Sequence, residues 1–168
     1  MSETKFIVID PSGSYNEGKG HTGMTTIIGE DWKTLETFSF DAKKYRNRTE
    51  YWTAVINKVL AESKIQPVRV VIESFMIRST GFLIGKMPET IQFIGAMCYV
   101  FELRNITYTT QAPTTAKSRF KDKELGRYIP GFEYRDNGRY YLNDKQVNDH
   151  IRDSLKHLLF YFRYRKDK

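Results

Sequence analysis

A chain of 168 residues, 40% hydrophobic and 14% aromatic, can bury one sizeable core and is too apolar for a disordered polypeptide. Its single cysteine, Cys98, excludes an intramolecular disulfide and argues against a cysteine-based zinc cluster, and no apolar run nears the roughly 20 residues of a membrane helix. Lys and Arg number 27 against 20 Asp and Glu, a net charge of +7 that points to a polyanionic partner such as nucleic acid or an anionic membrane surface, unless it is only a solvated basic face.

In chain order, residues 4–10 read as a buried strand ending in Asp10, and Pro11-Ser12-Gly13 turns the chain. The apolar core Phe6–Ile9 is too short for a secretory leader, so a cytoplasmic protein is expected. Residues 12–22, with Gly13, Gly18, Lys19, Gly20 and His21, read as a mobile loop between that strand and two more at 23–29 and 35–41. Helical spacing of Trp52, Val55, Ile56, Val59 and Leu60 predicts a helix over 49–64, with Thr49 as its cap. Residues 68–73 form a second apolar strand that ends in an acid, Glu73. After a segment with two glycines, Pro88 opens a helix to about Arg104, with Ile91, Ile94, Met97, Cys98 and Phe101 on or near one face. Ile106–Thr110 is a β-branched and aromatic strand, and Pro113 starts a short basic helix that ends near Phe120. Residues 121–143 lack a clear period, except that Asp136-Asn137-Gly138 between Tyr134 and Tyr140 marks a hairpin turn. A final helix runs from near Asp144 to about Phe162. Three early strands followed by strand–helix alternation predict an α/β fold, a mixed sheet with helices on its faces, as one domain over residues 1–168.

Asp10 and Glu73 each follow an apolar strand core, and carboxylates at strand ends emerge at an accessible sheet edge. On neighbouring strands they point into one crevice, where a divalent cation relieves their repulsion; singly, each is an ordinary strand-ending acid. On the last helix, His150 and Asp153 sit three apart on one flank, beside the apolar stripe of Val147, Ile151, Leu155, Leu158, Leu159 and Phe162. Asp149, four before Asp153, reaches the same flank, so either Asp149 or His150 completes the set; a solvated polar face is the competing reading. His157 reads as too far along, or as a cation serving the helix end. Two strand-end acids and a helical His/Asp pair on a basic chain make a metal centre that faces phosphate.

Phe6-Ile-Val-Ile-Asp-Pro-Ser-Gly with the later Thr22-Gly23, Val71-Ile-Glu-Ser-Phe-Met, and His150-Ile-Arg-Asp-Ser-Leu resemble, in order, the three acidic motifs of RuvC Holliday junction resolvases. The tail His150–Tyr161 resembles most the small phage-encoded branch of that family. The likeness spans nearly the whole chain. It implies an RNase H-like fold with a five-stranded mixed sheet flanked by helices. It implies Mg²⁺-dependent cleavage of four-way or other branched DNA by a homodimer, two ions held by Asp10, Glu73, His150 and Asp153, Mn²⁺ as a substitute, and no nucleotide cofactor. The loop 12–21 and the insertion 127–142 are longer than the family's usual turns, which bears on substrate choice more than on chemistry.

Lys117, Arg119, Lys121 and Lys123 follow the strand at 106–110 and can neutralise phosphates; Lys43, Lys44, Arg46 and Arg48 form a second basic run. Lys19 and His21 lie in the loop after Asp10 and are placed to reach DNA. Phe75 and Phe82 follow Glu73 and are candidates to stack on bases, with core burial the ordinary fate of such a ring as Phe75. The helix over 88–104 has apolar residues on more than one side, including Phe93 and Tyr99, as a dimer interface or a deeply buried helix requires. Three other classes fit parts of the pattern: the nuclease domain of a phage packaging terminase, a catalytically silent DNA-binding protein, and an actin-like or sugar-kinase nucleotide binder. Cleavage of junction against linear duplex separates the first from a resolvase, the second predicts junction binding without cutting in Mg²⁺ or Mn²⁺, and the last needs a second phosphate loop and a longer chain.

Overall fold

A computed structural model describes residues 3–15, 20–75 and 89–164. Five strands, β1 (Lys5–Asp10), β2 (His21–Ile28), β3 (Glu36–Asp41), β4 (Val68–Glu73) and β5 (Thr107–Gln111), form a sheet in the order β3-β2-β1-β4-β5. The β1–β2 and β2–β3 pairs are antiparallel; β4 pairs with β1 and with β5 in parallel. This is the five-stranded mixed sheet of the RNase H-like fold. Strand β1 lies at its centre, so its successive residues are buried on both faces.

Alternation along the strands splits the core in two. Ile7, Ile9, Val70 and Ile72 face helices α1 (Arg48–Ser63) and α2 (Glu89–Leu103), where Tyr51, Val55, Phe93, Met97 and Phe101 pack. Val8, Ile27 and Val71 face α3 (Pro113–Arg119) and α4 (Asp149–Tyr164), packed by Ala116, Leu155, Leu158 and Leu159. A small antiparallel sheet of β6 (Phe132–Tyr134), β7 (Tyr140–Leu142) and β8 (Lys145–Gln146) adds Phe132 and Leu142 to that second core.

Several boundaries differ from the sequence reading. Asn47 caps α1 by accepting from Glu50 N at 2.9 Å, and Thr49 lies within the first turn. The expected start of the last helix, near Asp144, is a β7–β8 hairpin: Asn143 and Asp144 have φ of 48° and 64°, left-handed values that Asn and Asp tolerate and a helix does not. The true start is set by Asn148, whose side chain accepts from Ile151 N at 2.9 Å. The turn at 136–138 is where the Asp-Asn-Gly signal put it, with Gly138 at φ 77°. His21 belongs to β2, paired with Asp41 across the β2–β3 ladder, and not to the preceding loop. No helix among the described residues is long and apolar enough to cross a membrane.

Candidate metal centre at the sheet edge

The registers place Gly23 opposite Asp10, Ile9 opposite Ile72, and Glu73 opposite Gln111. At one end of the sheet, Gly23, Asp10, Glu73 and Gln111 therefore form a row across β2, β1, β4 and β5. By parity with Val8 and Val71, Asp10 and Glu73 point to the α4 face. Helix α4 crosses this row and offers His150, Asp153 and His157, residues at i, i+3 and i+7 that share one stripe.

Gly23 makes that crossing possible. A Cβ there would lie 2.3 Å from the carbonyl carbon of His150, so only a residue without a side chain lets the first turn of α4 come this close. Thr25 and Ser154 lock the approach with a buried hydroxyl–hydroxyl hydrogen bond of 2.6 Å.

One ligand oxygen each from Asp10, Glu73 and Asp153 lies within 4.8 Å of the others. His150 Nδ1 shares a 2.7 Å hydrogen bond with Asp10 Oδ2. Lys117 Nζ donates to Glu73 Oε1 at 2.9 Å and stands 2.7 Å from Asp153 Oδ2. Lys156 Nζ takes the other oxygen of Asp153 at 2.8 Å and also pairs with Asp122. Burial pushes the Asp10 carboxyl up to about 6; the His150 hydrogen bond pulls the other way, and the nearby Glu73 charge adds to the rise. Burial also acts to raise the Glu73 carboxyl, but His157 and Lys117 outweigh it and hold that group down at about 2. His150 is raised, chiefly by its bond to Asp10. Two neighbouring carboxyls thus have opposite proton affinities, set by their different partners.

The structure brings Asp10, Glu73, His150 and Asp153 together, and it separates Asp149, whose side chain is 83% exposed and paired with Arg152 at 2.7 Å. Lys117 differs from the reading as a surface phosphate contact, since its ammonium is engaged with two carboxylates of the cluster. Arg119 and Lys121 are exposed. Phe75 is 45% exposed and not in the core, because β4 ends at Glu73. Lys19 and Phe82 lie outside the described residues. His21 stacks on His150, ring centroids 6.2 Å apart and planes within 8°.

His157 corrects the sequence reading most. It is mid-helix, 0% exposed, with Nε2 3.0 Å from Glu73 Oε2 and Nδ1 2.8 Å from Gln111 Oε1. Its spacing of four from Asp153 was the available signal. Gln111 carries no pattern at all in one dimension.

No family model matches this chain, and no curated protein matches it. Solved structures do. The Thermus thermophilus RuvC structure is similar over 95% of both chains, with a TM-score of 0.59 at 16% identity. T. thermophilus RuvC in complex with Holliday junction substrate is similar over 98% of both, with a TM-score of 0.61 at 17% identity. The fold is RuvC-like. That likeness covers nearly the whole chain.

Proposed function

We propose that this chain is a structure-selective endonuclease that cleaves four-way (Holliday) junctions and other branched DNA. The observation that carries the reading is the convergence of Asp10, Glu73 and Asp153, from two strands and a helix distant in sequence, to within 4.8 Å on a RuvC-like scaffold. One of the similar structures holds a Holliday junction substrate, which favours the same DNA class here.

The residues suit a hard divalent cation. All three acids offer oxygen donors, the class Mg²⁺ and Mn²⁺ prefer. Glu73 Oε2 is buried and has no well-aligned hydrogen-bond donor among the described residues, despite the close His157 nitrogen, so a lone pair stays open for a ligand. Asp10 would be shared between two ions, with Glu73 on one and Asp153 on the other. Such a pair, when bound, stabilises the attacking and leaving oxygens of phosphodiester hydrolysis. His150, bonded to Asp10, is placed to ligate or to hold a proton at its free ring nitrogen beside the scissile phosphate. Arg119 and Lys121 supply exposed positive charge for the DNA backbone, and Phe75 supplies an exposed ring two residues beyond Glu73. Tyr99 and Leu103, 65% and 63% exposed on α2, offer an apolar face for a second copy, as a resolvase acting symmetrically on two strands requires. Residues 1–168 form one nuclease domain of the phage-encoded kind, acting in the cytoplasm of the host cell.

The test is a titration of Mg²⁺ and Mn²⁺ into the protein with a synthetic four-way junction and a linear duplex of the same sequence. Paired nicks in the junction, dependent on metal and weak or absent on the duplex, are expected. Equal cutting of the duplex points to a terminase-like nuclease, and junction binding without cleavage in either metal overturns the enzymatic reading.

A further inference from the structure

We infer that His157 is a positioning residue that fixes the orientation of Glu73, with Gln111 fixing the imidazole in turn; this rests on the metal-centre reading above. A fully buried imidazole is costly unless both nitrogens meet polar partners. Here Nδ1 hydrogen-bonds Gln111 Oε1 at 2.8 Å, and Nε2 faces Glu73 Oε2 at 3.0 Å, an ion-pair distance without hydrogen-bond alignment in the metal-free chain. Gln111 is itself anchored. Its backbone is buried at the end of β5, opposite Glu73 in the ladder, and its backbone carbonyl accepts from Ser74 N at 2.8 Å and Ser74 Oγ at 3.1 Å. The chain Gln111–His157–Glu73 thus joins β5, α4 and β4 through buried side chains.

Glu73 has a second partner, and the contrast is informative. Lys117 reaches it from the short helix α3 with a side chain that is 35% exposed, and the same ammonium also holds Asp153. Cations held by Glu73 and by Asp153 would repel the ammonium that now bridges these two carboxylates, so Lys117 is the partner that would give way. His157 is enclosed and remains. The carboxylate is then held by His157 alone among its two partners, with the ring prevented from rotating by Gln111.

The discriminating variants are isosteric in different directions. His157→Gln places an amide nitrogen where Nε2 stands and can still donate to Glu73; His157→Asn places its amide where Nδ1 stands and reaches only Gln111. Mn²⁺ binding to the DNA-free full chain is measured from the free-ion electron paramagnetic resonance signal. His157→Gln is expected within about threefold of wild type and His157→Asn roughly 10–100-fold weaker, the usual loss when a ligand's supporting bond is removed. Equal constants for the two variants overturn the inference while leaving the metal centre intact. No saturable Mn²⁺ binding by wild type overturns the metal centre and the inference with it. Should His157→Asn fail to fold by circular dichroism, the wild type decides: the ¹⁵N resonance of His157 Nε2 must shift with Mg²⁺ along the binding isotherm, and a resonance that ignores bound metal refutes the role.

Discussion

Replacing Asp10 by Asn should destroy cleavage and yet stabilise the metal-free protein. Asp10 is buried, and its carboxyl is raised from 3.8 to about 6, chiefly by burial. A raised native value means the folded state binds the proton more tightly than the unfolded chain. The corresponding stability is fully present below about pH 4, is lost as the pH rises through about 6, and stays lost above. At about pH 7.5 the ionised group therefore costs about 2 pKa units, or roughly 3 kcal/mol at 1.36 kcal/mol per unit. Asn removes the charge but weakens the bond to His150 by about 1 kcal/mol, leaving a gain of about 1–3 kcal/mol. For a chain of this size that is an increase in Tm of roughly 2–10 °C. The assay is a pair of thermal melts with chelator, near pH 7.5 and near pH 4. The gain should vanish at the lower pH, where wild type is itself protonated, and the order should invert with saturating Mn²⁺, which stabilises only the protein that binds it. An Asp10→Asn protein that melts below wild type near pH 7.5, or a gain that is the same at both pH values, refutes the reasoning.

Glu73→Gln and Asp153→Asn should each lower junction cleavage by more than the roughly 100-fold that loss of a ligand's supporting bond causes, with junction binding kept within several-fold, as read by gel shift and nicking assays; wild-type rates in either variant remove that acid from the centre. Gly23→Ala forces a methyl against the His150 backbone, so a loss of about 1–3 kcal/mol and weaker Mn²⁺ binding are expected, and an unchanged melt denies the close approach of α4. Because protons compete for Asp10, Mn²⁺ affinity should be flat above about pH 7 and fall about tenfold per unit below about 6; a steeper fall means His150 also releases a proton on binding, and no dependence between about pH 5 and 7 contradicts the assignment of Asp10 as a ligand. Arg119→Ala with Lys121→Ala should weaken junction binding and lower its log–log salt slope by about 2, one for each phosphate that is no longer neutralised; an unchanged slope returns both to the solvated surface.

The five strands of the sheet, the four main helices and the tight turn at 136–138 were legible in the one-dimensional pattern, because apolar period and turn chemistry are local properties. So were the acids: Asp10 and Glu73 stand where an apolar run stops, and His150 and Asp153 share a helical flank. The start of the last helix was not legible, since Asn143 and Asp144 took left-handed turn conformations that the apolar period of the helix behind them does not register. Only the tertiary structure decided which residues complete the site. Gly23 matters because α4 crosses β2 there, Gln111 because β5 lies beside β4, and Lys117 because α3 aims it between two acids. Pattern within an element follows from neighbours a few residues away, whereas partners across elements depend on strand order and helix placement, which the free energy of the whole core selects.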